Sequence, residues 1–148
     1  MGTVSGARFL IATGTDRESG AASPWFGWRL LSANNRELGR GATFFPRRED
    51  CEAAVLHLRA NLDRAVPVVH VVRPDSLWRW RLEIDGTEAA RSGRAYHRLR
   101  ECRYSLAHFH TGVGLADAAP HALPEQRSSV RRTGGGRAPG DLSRAVAR

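Results

Sequence analysis

The chain has 148 residues, 41% of them apolar, which suits one domain with one modest core. It holds no apolar run of about 18 residues, the length a membrane helix needs, and its first apolar patch, Phe9-Leu10-Ile11-Ala12, is too short for a signal-peptide core. A cytoplasmic protein is therefore expected. The net charge is +8, and all 23 basic residues are arginine, as in proteins encoded by GC-rich bacterial genomes.

Taken in chain order, a first short strand is predicted near Arg8–Ala12, followed by a surface loop over residues 13–24, rich in Gly, Ser and Ala. A second strand carries Phe26, Trp28 and Leu30 on one face. Asn34-Asn35 then suits a tight type I′ hairpin turn, which needs positive φ at both central residues. A third strand runs near Glu37–Thr43. Between Arg48 and Leu62, Cys51, Ala54, Val55, Leu58 and Leu62 recur at helical spacing, behind Glu49, Asp50 and Glu52 in the first turn, where the helix dipole favours acids.

The same series then repeats. Strands are predicted near Val68–Val72 and Glu88–Arg94, with a second strand between them in which Trp78, Trp80, Leu82 and Ile84 alternate with Arg79, Arg81, Glu83 and Asp85. Asp85-Gly86 makes the turn, and Cys102, Leu106, Phe109 and Val113 make the helical stripe. Trp28-Arg29-Leu30 aligns with Trp80-Arg81-Leu82 at an offset of 52. Beyond the turn, where the second copy is one residue shorter, Arg40, Phe45, Cys51, Val55 and His57 align with Arg91, Tyr96, Cys102, Leu106 and His108 at an offset of 51. Gly112-Val113-Gly114 reads as the end of the second helix.

These patterns predict an α+β fold of two β-β-β-α repeats, 7–65 and 66–115, sharing one antiparallel sheet. Helices cover one face and water meets the other. From 116 to 148, prolines, Gly134-Gly135-Gly136 and six arginines against three acids predict a disordered tail. The two cysteines fall on the helical stripes and are expected as buried free thiols.

The repeat resembles the YegP-like family of bacterial and archaeal domains of unknown function. The resemblance rests on the aromatic-X-Leu strand, the Asn-Gly-type hairpin, the aromatic before the helix, and the helices Ala54-Val55-Leu56-His57-Leu58-Arg59-Ala60-Asn61 and Ser105-Leu106-Ala107-His108-Phe109-His110-Thr111-Gly112. It covers about residues 7–113. Ala54 and Ser105 replace the family glycine, and Arg47 and Arg98 stand where a Ser or Thr cap is usual. The resemblance implies two repeats in one sheet with strand exchange at their junction, built by one chain as a monomer. It lends no catalytic residue.

No catalytic, cofactor or metal motif is found. The chain has no lysine for a phosphate loop, and no Gly-X-Ser-X-Gly, His-Glu-X-X-His or Cys-X-X-Cys. His97, His108 and His110 read as surface histidines. The candidate contacts are arginines: Arg29, Arg79 and Arg81, expected to be exposed on the open sheet face, and Arg127, Arg131, Arg132 and Arg137 in the tail. Arginine forks suit carboxylate and phosphate. The expected function is a non-enzymatic interaction module for an unknown protein partner, with weak, sequence-tolerant nucleic-acid binding as the alternative.

Overall fold

In the computed structural model, residues 6–16, 22–116 and 125–127 are described. The first repeat comprises β1 (Arg8–Asp16), β2 (Ser23–Leu31), β3 (Glu37–Gly41) and α1 (Arg48–Ala60). A single 3-10 turn, Leu62–Arg64, leads into the second: β4 (Val66–Val72), β5 (Leu77–Ile84), β6 (Thr87–Arg91) and α2 (Leu99–Leu115). A short β7 (Glu125–Arg127) follows. One seven-stranded sheet runs in the order β4-β5-β6-β3-β2-β1-β7. The copies therefore meet where β3 pairs antiparallel with β6, and the strand order reads outward from that seam in both directions. The three strands of each copy stay together, so the strand exchange implied by the family resemblance is absent.

The helix-covered face is the predicted one. Phe9, Ile11, Trp28 and Leu30 of the first copy are buried beside Trp80, Leu82 and Ile84 of the second. The helical stripes close the core with Cys51, Val55 and Leu58 from α1 and Cys102, Phe109 and Val113 from α2. Phe109 lies between the two indoles, 6.2 Å from Trp28 and 4.8 Å from Trp80. Burial pushes the thiol of Cys51 up to about 12, with Glu52 adding to the shift, and burial pushes that of Cys102 up to about 11. Neither is a thiolate nucleophile at neutral pH.

Close approach at the seam depends on Gly39. A Cβ there would run into the ring of Phe109 and stand 2.8 Å from Cη2 of Trp80. Gly39→Val is expected to destabilise by about 1–3 kcal/mol through overpacking. A urea midpoint equal to that of the parent chain would mean that the rings do not crowd this strand.

Several expectations are corrected. The two hairpin turns differ. Asp85 and Gly86 both have positive φ, as a two-residue type I′ turn requires. In the first copy only Asn35 is left-handed, at φ 65°, and its N–H donates to Ser32 O at 2.9 Å. That is a three-residue loop with a bulge, which explains the extra residue in the first copy. The loop at 13–24 is shorter than predicted, because β1 and β2 pair as far as Asp16 and Ser23. Helix α2 continues through Gly112-Val113-Gly114 to Leu115, and Gly112 is buried against Leu30 and Leu38. Nor is the tail wholly irregular: β7 pairs in parallel with β1, which makes the sheet mixed, and Glu125 bonds Arg48 of α1. The rest of the tail expectation, at 117–124 and 128–148, lies outside the described residues. No helix among the described residues is long and apolar enough to cross a membrane.

Candidate functional site: an arginine row on the open sheet face

The residues that alternate with the core face point to the other side of the sheet. Over β1 and β2 that side is not open to water as expected. Trp25 lies across Gly14 and is buried, Phe44 lies across Gly27, and the two rings meet edge to face at 4.6 Å.

Over the seam the open face is basic. Arg29 of β2 is opposite Arg40 of β3, Arg40 is opposite Arg91 of β6, and Arg91 is opposite Arg81 of β5. Four adjacent strands thus present four arginines in one row. With strands spaced by about 4.8 Å, the row is roughly 14 Å long. It is symmetric about the seam, since Arg29 corresponds to Arg81 and Arg40 to Arg91 in the repeat. Like charges directly opposite are unfavourable in a sheet, so counter-ions are needed and they follow the same symmetry. Glu37 accepts from Arg29 Nε at 2.5 Å and from Arg40 Nη2 at 2.8 Å. Its equivalent, Glu88, accepts from Arg91 Nη2 at 2.7 Å. Glu83 lies 3.5 Å from Arg81 Nε. Gly93 makes room for the Glu37 carboxylate, which a Cβ at that position would strike.

Among the described residues, neutralisation of the row is incomplete. Its four arginines, Arg29, Arg40, Arg91 and Arg81, have three carboxylates beside them, Glu37, Glu83 and Glu88. The Arg91 side chain is only 10% exposed, and its buried Nε meets no acceptor among the described residues. Arg79 donates to Ser92 O at 3.4 Å, while burial, Arg40 and Arg91 all lower its pKa. Arg29, Arg79 and Arg81 are thus half-buried rather than exposed. The reason is that neighbouring strands surround them with long side chains whose stems pack together.

His70 stands opposite Arg79 on β4, 3.5 Å from Arg81 Nη1 through its Nδ1. Burial first, and Arg81 next, hold its pKa below the ordinary 6.5. A base depressed in the folded state binds its proton more readily unfolded, so its contribution is intact above 6.5 and is lost as the pH falls below it. Urea midpoints are expected to drop between about pH 7.5 and about pH 5.5, and the drop should shrink in His70→Asn. An equal drop in the variant would assign the effect to other groups.

The sequence singled out Arg29, Arg79 and Arg81; the structure places all three on one side of the sheet, with Arg29 and Arg81 at the two ends of the row and Arg79 beside it on β5. Arg40 and Arg91, the central pair, were missed as contacts, although the offset of 51 already matched them. Arg127 is exposed on β7, two strands beyond β2, and does not join the row. Arg131, Arg132 and Arg137 lie outside the described residues. Among the described residues, no group of three or more His, Cys, Asp or Glu could hold a metal ion.

No protein-family model matches the chain, and no curated protein does. A match is found with the solution structure of YegP from E. coli, a protein of unknown function. The TM-score is 0.58 at 11% sequence identity, covering 87% of this chain and 100% of that one. At that identity the likeness is one of architecture, and by that measure the tandem repeat with its seven-stranded sheet and two helices has the YegP-like fold.

Proposed function

We propose that the chain is a non-enzymatic interaction module, acting as a monomer in the cytoplasm, whose open sheet face engages an acidic protein partner. The observation that carries this reading is the row Arg29-Arg40-Arg91-Arg81 with its incomplete set of counter-ions. Guanidinium forks at strand spacing suit separate carboxylates on a partner. A continuous phosphate backbone fits less well, because Glu37, Glu83 and Glu88 stand among the arginines and break the run of positive charge that such a backbone would follow. Base-stacking aromatics are also wanting in this row, and single-strand binders depend on them.

The test is titration of labelled octaglutamate into the full chain at low and high salt, with the double variant Arg29→Glu, Arg81→Glu beside it. Those two arginines are the row's more exposed members. Binding is expected to weaken about tenfold or more in the variant and to fall with salt. Unchanged binding would remove the row from the site. A duplex oligonucleotide of equal charge binding more tightly than the peptide would overturn the protein-partner reading.

A further inference from the structure

The two copies share a plan but differ in chemistry at one place. A groove of about 1080 Å³, open to solvent, lies between the N-terminal half of α2 and the β2–β3 turn. Its residues include Arg36, Arg94, Tyr96, Arg100, Tyr104 and Ser105. At one end it reaches Glu37 and Gly93, so it is continuous with the arginine row.

The groove floor holds a hydroxyl pair with a hydrogen to spare. Trp80 Nε1–H donates to Ser105 Oγ at 3.0 Å, and Tyr96 Oη lies 2.7 Å from the same oxygen. An indole can only donate. The Ser105–Tyr96 contact uses one of the two hydroxyl hydrogens, whichever way it runs. The other has no acceptor among the hydrogen bonds of the described residues. Above this floor, the Arg94 guanidinium lies 5.1 Å over the Tyr96 ring. Tyr104 is 58% exposed, with its ring 4.2 Å from that of His108. Arg36, Arg94 and Arg100 outnumber Glu101, and Glu37 is already engaged by Arg29 and Arg40.

The first copy is an internal control. At the offset of 51 it carries Thr43, Phe45, Glu49, Ala53 and Ala54 where the second has Arg94, Tyr96, Arg100, Tyr104 and Ser105. The bridges Phe26–Phe45 and Trp78–Tyr96 are equivalent, so both copies pack this position alike. The unit therefore folds without the hydroxyl pair, the exposed tyrosine or either arginine.

We propose that this groove is a second subsite of the acidic-partner surface and holds an extended peptide segment of that partner. Carboxylates meet Arg94 and Arg100, an apolar side chain lies on Tyr104 and His108, and a carbonyl accepts the spare hydroxyl hydrogen. The proposal rests on the acidic-partner reading for the partner's chemistry. The groove is as large as the largest usual small-molecule pockets and open besides, and tyrosine and arginine are the residue types that dominate protein contacts.

The probe is a labelled octapeptide of alternating Glu and Leu, titrated into the full ¹⁵N-labelled chain. It is expected to move the Trp80 indole N–H resonance, which reports on Ser105. Arg100→Glu and the double variant Tyr96→Phe, Ser105→Ala copy the first copy's residues and so should fold. Each should weaken this peptide about tenfold, and the double variant, which changes no charge, should leave octaglutamate binding to the row unchanged. Peptide binding that ignores these variants, or that leaves the Trp80 resonance in place, overturns the groove and spares the row. Peptide binding that depends on the groove variants, beside octaglutamate binding that ignores Arg29→Glu, Arg81→Glu, upholds the groove and overturns the row. Absence of peptide binding overturns the groove, and absence of binding by both probes overturns both.

Discussion

Trp80→Ala is expected to destabilise the fold by roughly 3–5 kcal/mol, the range for losing a buried aromatic. Trp80 is fully buried at the seam, tilted against Phe109 at 4.8 Å and close over Gly39. Its removal opens a cavity shared by both copies and strips Ser105 Oγ of its indole donor. The neighbouring Arg79 points to the other side of the same strand. Arg79→Met keeps the packing stem and removes a charge that burial, Arg40 and Arg91 all oppose, so its urea midpoint should equal or exceed the parent's. If the two variants lost stability equally, β5 would be in the wrong register, since a slip of one residue exchanges the faces.

Glu37→Gln is expected to act in two directions at once. Glu37 is the counter-ion of both Arg29 and Arg40, and its side chain is only 14% exposed. Losing its charge weakens the charge-assisted hydrogen bonds from Arg29 and Arg40 and leaves those two guanidiniums less screened, for a cost of about 2 kcal/mol. The same change raises the positive charge of the row, so octaglutamate should bind several-fold more tightly. Added salt should recover part of the lost stability by screening the arginines from one another. Unfolding curves and titrations on one sample would show both effects. Unchanged stability together with weaker binding would mean that Glu37 is not the row's counter-ion.

The alternation in β5 made the fold legible, because only a half-buried strand gives four apolar residues at every second position. The repeat offset was equally informative. Its step from 52 to 51 turns out to be the difference between a three-residue and a two-residue hairpin loop. What the sequence could not give was the edge at which the copies meet. Short β3 and β6 carry little apolar signal, with Gly39, Gly41 and Ala90 where large residues would mark a core face. Their pairing is fixed by tertiary packing of the indoles and Phe109 over Gly39, which no local pattern encodes. Hence Arg40 and Arg91 were matched as repeat equivalents without being seen as neighbours. The half-burial of Arg79 and Arg81 has the same origin, since it depends on which strands flank β5. Gly112 misled for a different reason. A glycine that ends a helix and one that lets a helix approach a sheet look alike in sequence.

Arginine side-chain Nε–H spectra recorded during titration with octaglutamate test the row most directly. The expected result is that the signals of Arg29, Arg40, Arg81 and Arg91 move together and saturate at one peptide concentration, while those of Arg47, Arg98 and Arg103, outside the row, stay in place. Shifts spread over all of these arginines without saturation would show that the positive charge acts diffusely and that the row is not a site.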